Sequence, residues 1–260
     1  MASLDSTPLD FRPASEAEDQ DEPYVHIYAN GAVCDTDTRG QPTPGGRSVT
    51  ELVVDSSEGF IPLWGGGVTL RWRFDERSMM LFLNPEGAKA ALRALMGEAL
   101  MAWGHAVPVR IQEVRDGWDF EVRVANAKKC NRFGCTLARA FFPDSGQHDL
   151  MLYPSLFEQP RPEQVETLAH EFGHIFGLRH FFADIREQQW SSEIFGEHKP
   201  FSIMNYGAES ILTQADRDDL TRLYGLARSR QLTQINGTDI RLIRPFSEQR
   251  LHPFAHAPGS

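Results

Sequence analysis

The chain contains 260 residues, of which 41% are hydrophobic and 24% are charged, and its formal net charge at pH 7 is -10. This composition is typical of a globular protein with enough apolar side chains for one sizeable core. The acidic balance argues against a nucleic-acid partner, because phosphate binding needs clustered lysine and arginine. No apolar run is long enough to span a membrane, so no membrane partner is expected.

The first 63 residues differ in composition from the rest of the chain. Residues 1–23 carry seven acidic side chains, one basic side chain and few large apolar ones, which predicts a disordered acidic segment. They have neither the basic nor the apolar region of a signal peptide, so we expect a cytoplasmic protein or export by a leaderless route. Residues 24–63 contain short β-type runs around a turn-rich stretch, which predicts an N-terminal arm or a pro-segment.

Residues 64–226 are predicted to form one compact domain. It begins with a strand that places Leu70, Trp72 and Phe74 on one face. A helix of about five turns follows, with Asn84 as N-cap and Pro85 in its first turn. Four β-type runs come next, over residues 109–114, 119–126, 136–142 and 148–154.

Two more helices complete this domain. One is predicted over residues 162–177 and the other over residues 213–225, with Thr213 as N-cap and Gly225 as C-cap. The order of elements favours the α+β (mixed α/β) class. Residues 227–260 contain one β-type run, DIRLIRPF, and are predicted to be a C-terminal extension whose place in the fold the sequence does not reveal.

The three cysteines are too few for a disulfide framework, and an odd number leaves at least one thiol unpaired. Cys130 and Cys135 flank the short loop NRFG. They would form a bridge in an oxidising compartment and would remain reduced in the cytosol. The sequence leaves both alternatives open, and Cys34 lies far from this pair along the chain.

The run HEFGHIFGLRH, residues 170–180, carries the strongest functional signal. On a helix, His170 and His174 project from one face, one turn apart, so that both imidazoles can reach one Zn²⁺. Glu171 is rotated by about 100° from His170, which suits a base acting on a metal-bound water better than a ligand. Gly177 permits a sharp turn after the helix, which lets His180 return as a third ligand.

Three neutral imidazoles would leave zinc its full charge and one open position. Zinc lowers the pKa of a bound water from 15.7 to about 7, and Glu171 can then accept its proton. A lone histidine on an apolar helix is usually structural, but five fixed positions within eleven residues are rarely met by chance. The pattern therefore predicts one catalytic zinc ion.

HEFGHIFGLRH resembles the metzincin signature H-E-x-x-H-x-x-G-x-x-H. The run SIMNY resembles the Met-turn of that clan, which implies that Met204 forms an apolar floor beneath the metal. Tyr206 follows Met204 at the spacing seen in astacins and serralysins, which implies a tyrosine that binds the metal and then the oxyanion. The resemblance covers about residues 64–226. It implies a zincin fold with a twisted, mostly parallel sheet, an active-site helix and a C-terminal helix.

The run LARAFFP with the following DLML resembles the edge-strand region of matrixins, where an extended substrate pairs with the sheet. Arg139 and Met151 stand where matrixins place histidines of a structural zinc, so no second zinc is expected. Phe181 matches no usual subfamily residue. The resemblance also suggests a latency segment in which Cys34, or a nearby aspartate such as Asp35 or Asp37, occupies the open metal position.

These observations predict a monomeric zinc endopeptidase that acts on proteins or peptides. One alternative is an enzyme of narrow scope that cuts a single partner protein. Another is a zinc-stabilised binding module without activity, although a purely structural site has no use for Glu171.

Overall fold

The computed structural model describes residues 9–11, 17–18, 26–27, 32–34, 52–55, 59–131, 134–179, 192–195, 202–204 and 211–250. The strands are β1 Ala17–Glu18, β2 His26–Ile27, β3 Ala32–Cys34, β4 Leu52–Asp55, β5 Ile61–Trp64, β6 Thr69–Phe74, β7 Arg110–Glu113, β8 Phe120–Val124, β9 Lys129–Asn131, β10 Gly134–Arg139, β11 His148–Leu152, β12 Ser192–Phe195, β13 Gln234–Ile235 and β14 Thr238–Ile243. The α-helices are α1 Glu76–Met79, α2 Pro85–Trp103, α3 Pro154–Phe157, α4 Arg161–Ile175, α5 Gln214–Arg228 and α6 Phe246–Arg250.

The main sheet has the order β1-β9-β10-β11-β8-β6-β7, and β3, paired in turn with β2, also joins β10. Strands β7, β6, β8 and β11 are parallel to one another, whereas β10 is antiparallel to β11 and to β9. The long helices α2 and α4 pack against each other. This is a mixed α/β fold with a mostly parallel sheet, as the sequence predicts.

The predicted strand faces and helix starts are confirmed. In β6, Leu70, Trp72 and Phe74 are buried, and they alternate with half-buried residues. At α2, the Asn84 side chain accepts a hydrogen bond from the N–H of Gly87, and Pro85 lies in the first turn. Helix α2 buries Leu92, Leu95, Met96 and Ala99, and it packs against α4.

The C-terminal end of α5 corrects one prediction. Thr213 is the N-cap, as predicted, and it forms a capping box with Asp216, but the helix continues to Arg228 and Gly225 lies inside it. The reason is that Ala227 continues, beyond the glycine, the buried face to which Leu223 and Tyr224 belong. Helical packing outweighs the preference of glycine for a helix end.

The residues after α5, which the sequence does not place, pack on the same core. Strand β14 is parallel to β5, and Gly65 donates a backbone hydrogen bond to Ile243 at 2.9 Å. In α6, Ser247 donates from its N–H and its hydroxyl to the buried carboxylate of Asp119, at 2.7 and 3.0 Å. These contacts attach the C-terminal residues to β5 and to the start of β8.

Part of the segment for which the sequence predicts disorder also packs on the core. Phe11 forms an antiparallel bridge with Phe82, and Leu83 donates a backbone hydrogen bond to Asp10 at 3.1 Å. The ring of Phe11 lies 5.5 Å from that of Phe82 and 6.2 Å from that of Phe157. Aromatic contacts thus hold Phe11 against the core, although the acidic composition of its segment predicts disorder.

Two further findings concern features raised by the sequence. Cys130 and Cys135 are joined by a disulfide bond, which decides between the two alternatives left open above. Among the helices that the structure describes, none is both long and apolar enough to cross a bilayer.

Candidate metal centre

The residues of the motif lie on the most deeply buried part of α4. From Thr167 to Ile175 every residue of this helix is buried, and His170, Glu171 and His174 are fully inaccessible to solvent. Ionisable side chains in such a place need specific partners, because burial without them is costly. The helix therefore buries three ionisable side chains within five residues of an otherwise apolar segment.

Both imidazoles are oriented by backbone carbonyls. The Nδ1 atom of His170 lies 2.8 Å from the carbonyl oxygen of Ile203, and Nδ1 of His174 lies 2.8 Å from that of Leu178. A carbonyl oxygen only accepts hydrogen bonds, so each Nδ1 must carry the hydrogen. In the neutral imidazole the lone pair then lies on Nε2, which is the atom that each ring presents to the other.

The two Nε2 atoms lie 3.1 Å apart, and the ring planes are nearly perpendicular, at 83°. Two lone pairs that face each other at this distance need a shared proton or a shared cation between them. The separation is less than the sum of two zinc–nitrogen bonds of about 2.0–2.1 Å, so one ion can bind both atoms. The donors thus fit zinc, and the carbonyl on each Nδ1 is the outer contact that metal-bound histidines usually have.

The turn after α4 positions His174 as well as redirecting the chain. Gly177 has a φ of +93°, and its N–H and that of Leu178 donate to His174 and Gly173 at 2.8 and 2.9 Å. This is a Schellman motif, for which glycine is the favoured residue. It returns the Leu178 carbonyl to the imidazole of His174. The sequence predicted the turn but not this second role.

Met204 lies against α4 at Gly173, the residue before His174. A Cβ atom added to Gly173 would meet the Sδ atom of Met204 at 2.6 Å, so only glycine admits this approach. Met204 is buried, and the preceding residue, Ile203, supplies the carbonyl that orients His170. The segment 202–204 therefore touches the predicted site at two points.

Three aromatic side chains hold α4 through its backbone carbonyls. Trp103 Nε1 donates to Ala169 at 2.8 Å, and Trp64 Nε1 donates to Ile175 at 2.7 Å. The hydroxyl of Tyr224 donates to Phe176 at 3.0 Å. Burial raises the pKa of Tyr224 above its ordinary range, so the hydroxyl keeps its hydrogen. Sequence reasoning missed these residues, because nothing local distinguishes them from ordinary core aromatics.

Phe142 and Arg179 border the site on the side of β10. The ring of Phe142 meets the His174 ring edge-on, with 5.5 Å between centroids. The guanidinium carbon of Arg179 lies 5.6 Å from the centroid of Phe142, and Arg179 is fully buried. Phe142 ends the β-type run predicted over residues 136–142 and Arg179 lies within the motif, but the sequence did not predict the contact of Phe142 with His174 or with Arg179.

His180 and Tyr206 lie outside the residues that the structure describes, and their roles stay predictions. Among the described residues, no group of three or more His, Cys, Asp or Glu side chains is placed to hold a metal ion. Of the predicted site residues, the structure places the Nε2 atoms of His170 and His174 together, packs Met204 against Gly173 of the same helix and buries Glu171 on that helix.

No protein-family model and no curated protein matches the sequence. The structure of myroilysin is similar to this chain. The likeness covers 66% of this chain and 98% of the myroilysin chain, with 14% identical residues and a TM-score of 0.43. A likeness of this degree carries no argument about activity. The function must therefore be argued from the residues themselves.

Proposed function

We propose that this chain is a zinc-dependent endopeptidase that hydrolyses peptide bonds in proteins. The observation that carries the proposal is the pair of buried Nε2 atoms 3.1 Å apart, each on an imidazole whose Nδ1 is held by a carbonyl. Glu171, the neighbour of His170 on the same helix, is buried with them. A pair of histidines one turn apart with a glutamate after the first is a zinc-hydrolase pattern.

His170 and His174 would hold the metal through Nε2, and we propose His180 as the third ligand. Three protein ligands with one open position distinguish a catalytic zinc site from a structural one. The carbonyl oxygens of Ile203 and Leu178 hold the two imidazoles through Nδ1. These two ligands therefore need little rearrangement when the ion enters.

When bound, zinc would acidify a coordinated water and polarise the scissile carbonyl. The carboxylate of Glu171 would accept the proton of the attacking water and pass it to the nitrogen of the leaving amine. We propose that the hydroxyl of Tyr206 donates a hydrogen bond to the carbonyl oxygen as negative charge develops there. An extended segment of the substrate would pair with the edge of β10, whose continuation, Phe142, touches His174.

The first test combines zinc content with hydrolysis of casein. The variant Glu171→Gln should retain zinc and lose hydrolysis by a factor of about 10² or more, because the general base is gone while the ligands remain. The variant His170→Ala should lose both. Glu166→Gln is the matched control, since Glu166 is an exposed carboxylate on the same helix. Full hydrolysis by Glu171→Gln would disprove the proposed mechanism.

The same assay separates the alternatives. A zinc-stabilised binding module would bind zinc and leave casein intact in every variant. An enzyme of narrow scope would leave casein intact but produce new N-termini from few proteins when incubated with a proteome. Tyr206→Phe should lower turnover and leave zinc content unchanged, and undiminished turnover would remove Tyr206 from the site.

A further inference from the structure

Arg179 lies within the motif, between Leu178 and His180, and the proposed mechanism gives it no role. Its side chain is fully buried. Arginine is almost never buried to this extent without specific partners, because moving its charge away from water is costly. The position of this guanidinium is therefore set by particular contacts, and two of them lead to His174.

The first contact runs through the ring of Phe142. The guanidinium carbon of Arg179 lies 5.6 Å from the centroid of this ring, within the range of about 6 Å over which an aromatic face attracts a cation. The same ring is nearly perpendicular to the imidazole of His174, at 85°, with 5.5 Å between centroids. One ring therefore contacts both the buried guanidinium and the imidazole.

The second contact runs through the backbone. The carbonyl oxygen of Leu178 accepts the hydrogen bond from Nδ1 of His174 at 2.8 Å. This carbonyl belongs to the peptide group that joins Leu178 to Arg179. A peptide group is planar, so the Leu178 oxygen and the Arg179 Cα atom keep fixed relative positions. A shift of Arg179 would therefore move the acceptor that orients the imidazole.

Backbone packing places Phe142 beside the turn after α4 but does not orient its ring. A Cβ atom added to Gly177 would meet Cγ of Pro143, the residue after Phe142, at 3.5 Å. Phe142 itself is half-buried, and the rotamer of a ring in such a place depends on the side chains that pack against it. The guanidinium of Arg179 is one of those neighbours.

We propose that Arg179 is a positioning residue for His174. Its guanidinium holds the ring of Phe142 against the imidazole, and this contact keeps the Nδ1–H group on the Leu178 carbonyl. The orientation of the imidazole can be measured without a metal ion. Its importance for zinc binding rests on the proposed function.

The first experiment measures hydrogen exchange of the two imidazole Nδ1–H groups in the full-length chain, prepared with isotope-labelled histidine, with and without added zinc. Arg179→Met keeps an unbranched side chain but loses the charge and the planar group, so the His174 proton should exchange about tenfold faster. The His170 proton is directed at the Ile203 carbonyl and should keep its wild-type rate. Equal acceleration of both protons would indicate general loosening of the site and would overturn the proposal.

Two further variants test the route through the ring. Phe142→Leu should also accelerate exchange of the His174 proton. If Arg179 acts through Phe142, the double variant should exchange within about twofold of the faster single variant. Multiplication of the two single effects would refute this route.

A destabilised control separates positioning from a loss of stability. Leu70→Ala empties a fully buried site in β6, a strand that β11 and β8 separate from β10. It should lower stability and leave the exchange of both imidazole protons unchanged under conditions in which the protein remains folded. Selective acceleration of the His174 proton in this variant would overturn the assignment to Arg179.

The second experiment measures the zinc affinity of the same variants by competition with a chelator. Loss of a group that orients a metal ligand typically lowers affinity 10- to 100-fold, so Arg179→Met and Phe142→Leu should bind zinc about tenfold more weakly. Arg179→Lys should also bind more weakly, because it keeps the charge but lacks the planar guanidinium. Charge alone acts in the opposite direction, since a cation repels Zn²⁺. Tighter binding by Arg179→Met with wild-type affinity in Arg179→Lys would overturn the proposal.

The two measurements distinguish failure of the positioning role from failure of the proposed function. Wild-type protein that binds no zinc would refute the proposed function, and exchange of the His174 proton would still test the contact with Phe142. Unchanged exchange in Arg179→Met and Phe142→Leu would refute positioning, whatever the zinc affinity. Faster exchange with unchanged zinc affinity would refute the role of Arg179 in preparing a metal ligand.

Discussion

The two faces of the sheet formed by β6, β8 and β11 hold polar groups in different ways. On the face toward α4, the imidazoles of His170 and His174 are buried, and backbone carbonyls orient them. On the outer face, Glu121 is 3% exposed and receives Arg73 and Arg123 at 2.7 and 3.1 Å. Those arginines remain more than a third exposed.

The two faces differ in whether a polar group can reach water after a substitution removes the group that it bonds. A buried backbone carbonyl on the inner face cannot turn to water, so the loss of a donor there leaves the carbonyl with one hydrogen bond fewer. An arginine with an exposed guanidinium can turn to solvent at little cost. We therefore expect substitutions on the inner face to be severe and those on the outer face to be mild.

The largest expected effect concerns the two tryptophans on opposite faces. Trp103→Ala should lower the free energy of unfolding by about 3–5 kcal/mol, because it empties a large buried site and removes the hydrogen bond that the Ala169 carbonyl accepts from the indole. Trp118→Ala, which removes a half-buried ring 4.9 Å from the Arg73 guanidinium, should cost about 1 kcal/mol. Urea denaturation of both variants measures the contrast. Equal losses would refute the difference between the faces.

The next effect concerns the contact between Gly173 and Met204. Gly173→Ala should destabilise the fold by about 1–3 kcal/mol, because the new methyl group overlaps the Met204 sulfur and overpacks the core. It should also reduce zinc content by displacing the floor beneath the histidines. Gly225→Ala is the matched control: it lies inside α5 with nothing within 4 Å of the added Cβ.

Gly225→Ala should stabilise the protein by up to about 1 kcal/mol, since alanine favours the helix. Thermal denaturation and zinc analysis of both variants give the comparison. A loss of stability in Gly225→Ala would contradict a helix that continues through residue 225. It would support the helix end that the sequence predicts at this glycine. An unchanged zinc content in Gly173→Ala would show that Met204 does not position the ligands.

How far the sequence predicted these features depends on the distance between the partners along the chain. His170, Glu171, His174 and Gly177 lie within one helix and its turn, so helical periodicity alone predicts their arrangement. The mixed α/β class also followed from local patterns. The carbonyl of Ile203 and the indole of Trp103 come from remote segments, and no local rule connects them to α4.

The outer face and the contacts of Phe11 escaped prediction for a related reason. Arg73, Glu121 and Asp149 stand opposite one another on three strands, an alignment set by a register that the sequence does not encode locally. Phe11 lies in an acidic run whose composition predicts disorder, yet its ring packs against Phe157 of α3 and Phe82 in the turn after α1. The average composition of a segment does not reveal a contact made by one of its residues.

A smaller effect is expected at the centre of the outer network. Glu121→Gln should cost about 1 kcal/mol, because both arginines can hydrate once the charge is removed. The difference from the wild type should shrink in 1 M NaCl, which screens the exposed part of the network. Glu113→Gln, in an exposed pair with Arg93, should change stability by less than about 0.5 kcal/mol. A loss in Glu121→Gln as large as that of Trp103→Ala would contradict the proposed tolerance.

The smallest expected effect is a pH dependence at Asp119, where the sheet meets α6. Burial raises the pKa of this carboxyl, and hydrogen bonds from the N–H groups of Arg71 and Ser247 offset only part of the increase. A folded-state pKa above the unfolded one means that the folded state binds the proton more tightly. The resulting stabilisation is complete below the unfolded pKa and is lost as the pH rises through the folded pKa.

Asp119→Asn removes this titration while keeping the shape of the side chain. The free energy of unfolding of the wild type minus that of the variant should therefore be greatest below about pH 4 and should fall as the pH rises. Urea denaturation of both proteins between pH 3 and pH 7 measures the slope, in which any constant cost of the substitution cancels. A difference that grows with pH would mean that the backbone donors outweigh burial. Asp119 would then be a carboxylate stabilised by fixed backbone groups, as the imidazoles of the inner face are.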